Sequence, residues 1–238
     1  RGARTMKQVI RKGFRDIIVD EVPEPVATPH HVLVRPIFSL ISSGTETASI
    51  HQDAVIKEVA EDPSKLRQVL DVMQTNSPVR TIAEVWAKFS AYAALGYSGA
   101  GILIDKHDSV SRFEVGDRVS YGGEGTGHAE TIITGENLVT RVPDEVGFEQ
   151  ACFTTLGSIA LNSVRIASVG IGDTVAILGL GIVGQLCAQL VKLSGGIAIG
   201  VDLISERVSL AKDMGAAEGI VAGESLAEKI GTITNGKG

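Results

Sequence analysis

Val175-Ala176-Ile177-Leu178-Gly179-Leu180-Gly181-Ile182-Val183-Gly184 decides how this chain is read. A short apolar run rich in branched residues leads into Gly-x-Gly-x-x-Gly, and a segment of helical character, Gln185 to Leu193, follows. A second apolar run, Ile197 to Val201, ends on the carboxylate of Asp202, eighteen residues past Gly184. Strand, glycine turn, helix, second strand and terminal acid, in that order, form the pattern a dinucleotide site needs. Gly179 allows the tight turn, Gly181 lets the backbone approach a pyrophosphate, and Gly184 lets helix and strand pack closely. The helix N-terminus, through Leu180, Ile182 and Val183, offers N–H groups and a positive dipole end to phosphates. Glycines also serve ordinary tight turns, so a purely structural turn is the plain alternative. Asp202 bonded to a ribose 2′-OH would repel a 2′-phosphate, which favours NAD(H) over NADP(H). Ser205 and Arg207 lie close enough to bear on that preference, and Arg207 joins the expected cofactor-binding residues.

Outward from this stretch the composition changes. All six Phe, the three Tyr and the single Trp fall at or before Phe153, and the remainder is built from Val, Ile, Leu, Ala and Gly. Buried parallel strands read as such apolar runs. The expected fold class is therefore α/β, with a β-rich part over residues 1–150 and a parallel, doubly wound part over 151–238. Residues 7–11, 16–22 and 31–40 read as short strands, broken at Lys12-Gly13 and by Pro23, Pro25 and Pro29. Residues 52–92 carry few glycines, many charges and apolar positions at helical spacing, divided by Pro63 and Pro78. They read as a helical insertion or lid. The β pattern resumes over 96–105, 115–121 and 127–133, and residues 146–169 read as helix.

With 238 residues the chain suffices for one large domain or two ordinary ones. A net charge of −6 argues against a nucleic-acid partner, whose binding rests on clustered Lys and Arg. No apolar run reaches the ~18 residues of a membrane span, and the N-terminus lacks the apolar core of a signal peptide. Met6 is the expected natural start. Two cysteines, Cys152 and Cys187, make a disulfide framework implausible. A cytoplasmic location, no membrane association and a small-molecule substrate are the expectations.

The stretches Ser43-Gly44-Thr45-Glu46, Gly96 to Gly101, Val115 to Val119 and Gly172 to Asp202 resemble, in order and spacing, the medium-chain, zinc-type alcohol dehydrogenases. The resemblance implies a GroES-like β domain followed by a Rossmann domain, and an NAD-dependent oxidoreductase. The insertion at 52–92 and the wording of Leu40 to Glu46 are similar to a subgroup often fused to a sugar-dehydrogenase-like oxidoreductase. The departures concern the metal. Where the zinc enzymes place their three ligands, this chain has Ser43, Tyr97 and Thr155. Hydroxyls are poor zinc ligands beside Cys, His or carboxylate. The structural zinc lobe is missing as well, so no metal is expected. His51, His107, His128, Glu46 and Cys152 show no ligand spacing, and His128 reads as an ordinary strand or loop residue.

Hydride transfer needs a group that polarises a carbonyl and handles a proton. The resemblance places Thr45 at the hydroxyl of the family's proton relay. Tyr97, Ser43 and Thr155 would face the same cleft, with Tyr97 either donating a proton or merely filling the vacant metal space. Beyond Asp202 the sequence offers a helix, a strand at 219–221 and one further helix. These correspond to strands 1, 2 and 3 of the order 3-2-1-4-5-6. The chain is thus expected to be part of a larger protein, or to be completed by a partner or in a homo-oligomer. Two readings stay open: a zinc-free oxidoreductase on an alcohol, polyol or sugar-like hydroxyl, and a decayed NAD(H)-binding module serving another oxidoreductase.

Overall fold

The computed structural model describes residues 4–12, 16–42, 44, 46, 92–123, 125–223 and 225–236. The insertion expected at 52–92 lies outside these except for Tyr92, as do Ser43, Thr45 and His51. The chain divides into two compact units, Arg1–Thr154 and Thr155–Gly238.

The first unit is antiparallel. Strands β1 (Thr5–Lys12), β2 (Asp16–Pro23) and β4 (Tyr92–Ala94) form a three-stranded sheet in the order β2-β1-β4. Strands β3 (His31–Ser39), β5 (Ser98–Lys106), β6 (Arg118–Gly122), β7 (Ile132–Gly135) and β8 (Val139–Arg141) form a second, in the order β7-β3-β5-β6-β8. Alternation buries Met6 and Ile10 of β1 while their neighbours stay more open. The larger sheet wraps a core of Val32, Val34, Leu103, Phe113, Val119 and Tyr121. Burial pushes the Tyr121 phenol far above its ordinary value, so it remains neutral. Two glycines in β5 are dictated by this packing. A side chain at Gly99 would run into the Tyr121 hydroxyl, and one at Gly101 into the carbonyl oxygen of Arg35. The Arg118 guanidinium donates to the carbonyls of Pro143, Asp144 and Val146 and lies 4.7 Å above the Phe148 ring, pinning the chain after β8.

Three sequence expectations are corrected here. Residues 115–117 turn rather than extend, with Gly116 at φ +99°, so β6 starts at Arg118. The strand expected over 127–133 is β7, preceded only by an isolated bridge between Gln8 and Ala129. The helix expected over 146–169 is two helices, α1 (Phe148–Ala151) and α2 (Thr154–Ile166). Hydroxyls break it. Ser98 Oγ donates to the Cys152 carbonyl at 2.6 Å, and the Ala151 carbonyl accepts from Ser120 Oγ at 3.0 Å and Thr154 Oγ1 at 2.7 Å. These contacts offer the backbone an alternative to the helical ladder.

The second unit is parallel. Strands β9 (Thr174–Leu178), β10 (Ile197–Asp202) and β11 (Glu218–Val221) pair in the order β11-β10-β9, the expected 3-2-1 arrangement. Helices α3 (Ile182–Leu193), α4 (Ser205–Asp213) and α5 (Leu226–Ile233) follow the strands in turn. Central β10 is covered on both faces: Ala198 packs with Leu180, Ala188 and Val191, while Ile199 and Val201 pack with Leu226 and Ile230. Strand β9 is different. Among the described residues it pairs only with β10, and Leu178 is 73% exposed.

Candidate cofactor site and the oxygen-rich cleft segments

The glycine turn joins β9 to α3, and each glycine meets a separate demand. Gly179 sits at φ +91°, the left-handed region that side chains avoid. Above Gly181 a side chain would meet nothing within 4 Å, leaving the backbone open to a bulky ligand. At Gly184 a side chain would strike the carbonyl oxygen of Gly179, so helix and turn can close only over glycine. Gly181 is the N-cap of α3, and no side chain caps the helix, which leaves Ile182, Val183 and Gly184 at an uncapped positive end.

Asp202 ends β10 beside this turn, 8% exposed. One carboxylate oxygen accepts the Leu180 N–H at 2.6 Å, and the other accepts the Ile204 N–H at 2.9 Å. Arg207 Nη1 stands 3.7 Å away. The Leu180 amide foremost, then the Ile204 amide and the Arg207 charge, hold the Asp202 carboxyl below its ordinary range. The carboxylate therefore stays ionised beside the glycine turn. A cleft of about 410 Å³ opens here, with Asp202 and Arg207 as its charged residues and Leu203, Ile204, Ala222 and Leu226 as apolar wall. Sequence reasoning missed that wall and also Gln185, whose amide donates to the carbonyls of Leu180 at 3.2 Å and Arg207 at 2.8 Å. Gln185 ties the glycine turn to α4. An apolar residue two places before the second helix, with a polar one just past the last glycine, is a signal too generic to have pointed to them.

The proposed cleft residues are only partly in view. Ser43 and Thr45 lie outside the described residues. Tyr97 is half-buried in the loop just before β5, and its carbonyl accepts the Gly123 N–H at 3.0 Å. Thr155 is half-buried in the first turn of α2, in the other unit. The structure brings Glu46 and His128 together instead, with Nε2 3.3 Å from the carboxylate. Neither residue stood out alone, because the contact joins positions 82 apart in sequence. Among the described residues no group of three or more His, Cys, Asp or Glu could hold a metal. The hydroxyl donors Tyr97 and Thr155 do not suit catalytic zinc either. Cys152 is buried and donates its thiol to the Glu149 carbonyl, and burial raises its pKa as it does that of Cys187. No described helix is long and apolar enough to cross a membrane.

No protein-family model matches the chain. It is 28% identical over 237 residues to D-guloside 3-dehydrogenase of Escherichia coli (strain K12), covering 98% of this chain and 65% of that one. It is 27% identical over 152 residues to (R,R)-butanediol dehydrogenase of Bacillus subtilis (strain 168), covering 53% of this chain and 44% of the relative. The chain thus spans less than two thirds of the length of either relative. Its fold matches that of a mycobacterial protein solved in complex with NADPH, with a TM-score of 0.73 at 20% identity over 98% of this chain and 64% of that one. In sequence the chain is thus similar to medium-chain, zinc-type alcohol dehydrogenases, and its fold matches their GroES-like and Rossmann architecture.

Proposed function

We propose that this chain serves an NAD(H)-dependent oxidoreductase acting on an alcohol, polyol or sugar-like hydroxyl and its carbonyl, without catalytic zinc. The observation that carries the proposal is the ionised Asp202 carboxylate beside the uncapped start of α3, at a cleft of ligand size. Gly181, Ile182, Val183 and Gly184 would hold the pyrophosphate on backbone groups and the helix dipole, while the Gly179 and Leu180 N–H groups, expected to join them, are instead spent on the Val201 carbonyl and on Asp202 and shape the turn. Asp202 would take the ribose hydroxyls and exclude a 2′-phosphate by charge. NAD supplies hydride acceptance when bound. The chain's own residues bind and orient it and handle the proton, for which Thr45, Tyr97, Ser43 and Thr155 are the proposed hydroxyls. The relatives' names, a sugar-derivative dehydrogenase and a diol dehydrogenase, support the substrate class. The open edge of β9 supports completion of the sheet by another strand, from further chain residues, a second copy or a partner domain.

A second reading, an NAD(H)-holding module without chemistry of its own, is favoured by the hydroxyls at the family's metal positions. Transfer of label from deuterated NADH to a panel of polyol-derived ketones and ketosugars separates the two. Labelled alcohol supports the oxidoreductase. NADH binding without label transfer to any carbonyl class supports the module.

A further inference from the structure

We propose that His128 is a positioning residue, a single imidazole that fixes the segments at Glu46 and Gly96 of the first unit against the end of β3. The proposal rests on the oxidoreductase reading for its functional meaning. Its three contacts lead to three segments. Nδ1 lies 2.8 Å from Ser39 Oγ at the end of β3, and Nε2 lies 3.3 Å from Glu46 Oε2. The ring's face rests on Gly96, where a Cβ would come within 2.8–2.9 Å of three ring atoms. Gly96 is glycine for a second reason, a φ of +95°. Its neighbour is Tyr97, so the imidazole backs the backbone just before β5.

Glu46 extends the clamp. Its other oxygen accepts the Ser42 N–H at 2.8 Å, and the Glu46 N–H returns to the Ser42 carbonyl at 2.9 Å. One carboxylate therefore closes the turn between Ser42 and Glu46 and ties it to His128. The pair is sheltered, with side-chain exposures of 14% for His128 and 10% for Glu46. The His128 backbone is itself anchored, donating to Leu95 O at 2.7 Å and accepting from the Val9 N–H at 2.8 Å. An ionised Glu46 can only accept, so Nε2 carries the hydrogen. In the neutral ring Nδ1 is then left to accept the Ser39 hydroxyl. A buried hydrogen bond to a charged group is costly to leave half-made, which makes the arrangement a clamp rather than a chance contact.

Hydrogen–deuterium exchange on the whole protein tests this without cofactor or substrate, so its failure is separate from failure of the oxidoreductase reading. His128→Asn keeps a polar atom near Nδ1 and loses the reach to Glu46. His128→Gln keeps the reach and loses the Ser39 contact. The expected result is exchange across residues 42–46 about tenfold faster in His128→Asn and restored in His128→Gln, with β5 and β6 unchanged. Glu46→Gln, which leaves the His128 backbone anchors intact, is expected to loosen the same turn and provides the reading should the His128 variants not fold. Unchanged exchange at 42–46, or equal acceleration throughout the sheet, would overturn the proposal.

Discussion

The two units place their functional groups by different routes. In the second, everything from Gly179 to Arg207 is one continuous stretch folded through a single strand-helix-strand crossover. In the first, the groups facing one imidazole come from residues 39, 46 and 96, and the imidazole itself from residue 128. A site made by one crossover is written locally, because glycines, helix start and acid must fall at fixed offsets. A site made by several strands is fixed by sheet register, which no local pattern records. The first kind invites single-residue steric tests, and the second invites paired ones.

The largest effect is expected where the local pattern is tightest. Gly184→Val forces a branched side chain against the Gly179 carbonyl, and overpacking of this sort costs about 1–3 kcal/mol or more. Loss of measurable NADH binding, with a lower melting temperature for the second unit, is the expected outcome. Wild-type binding by this variant would mean that the turn is not where the cofactor sits. In the first unit, Arg118→Ala removes three carbonyl contacts and the stacking on Phe148. A loss of about 2 kcal/mol in urea unfolding is expected, without change in NADH affinity. A matching drop in affinity would mean the two regions are not energetically separate.

Asp202 sharpens the comparison by pH. Its folded-state pKa is depressed, so its contribution is present above the ordinary Asp value of about 3.9 and is lost only as pH falls through the lower folded value. A carboxyl carbon titration by NMR is expected to show a midpoint below 3.9; one at or above it would remove the Leu180 and Ile204 amides as the controlling contacts. The smallest effect concerns the thiols. With both pKa values raised and Cys152 buried, alkylation of the native protein at neutral pH is expected to be slow, and slower at Cys152 than at Cys187. Rapid modification of Cys152 would show that the α1 region opens readily.

Legibility followed the same division. The strand order of the second unit, its three helices and the roles of Gly179 and Gly184 were readable because each is set by residues within a few turns of one another. Reading 115–117 as strand failed because Val115 and Val119 mimic a two-residue period across a turn that Gly116 alone betrays. The single helix expected over 146–169 failed because the hydroxyls that break it include Ser98 and Ser120, far away in sequence. The His128–Glu46 contact was invisible for that reason too: two ordinary polar residues become a clamp only when β3, the 42–46 turn and residue 96 converge.

The central claim is that the Gly179–Asp202 stretch binds NAD(H) through the Asp202 carboxylate. Parallel titrations of the protein with NADH and NADPH, followed by calorimetry, test it most directly. The account predicts NADH tighter than NADPH by at least about tenfold, with the difference abolished in Asp202→Asn. Equal or stronger binding of NADPH by the wild-type protein, or an unchanged preference in Asp202→Asn, would contradict it.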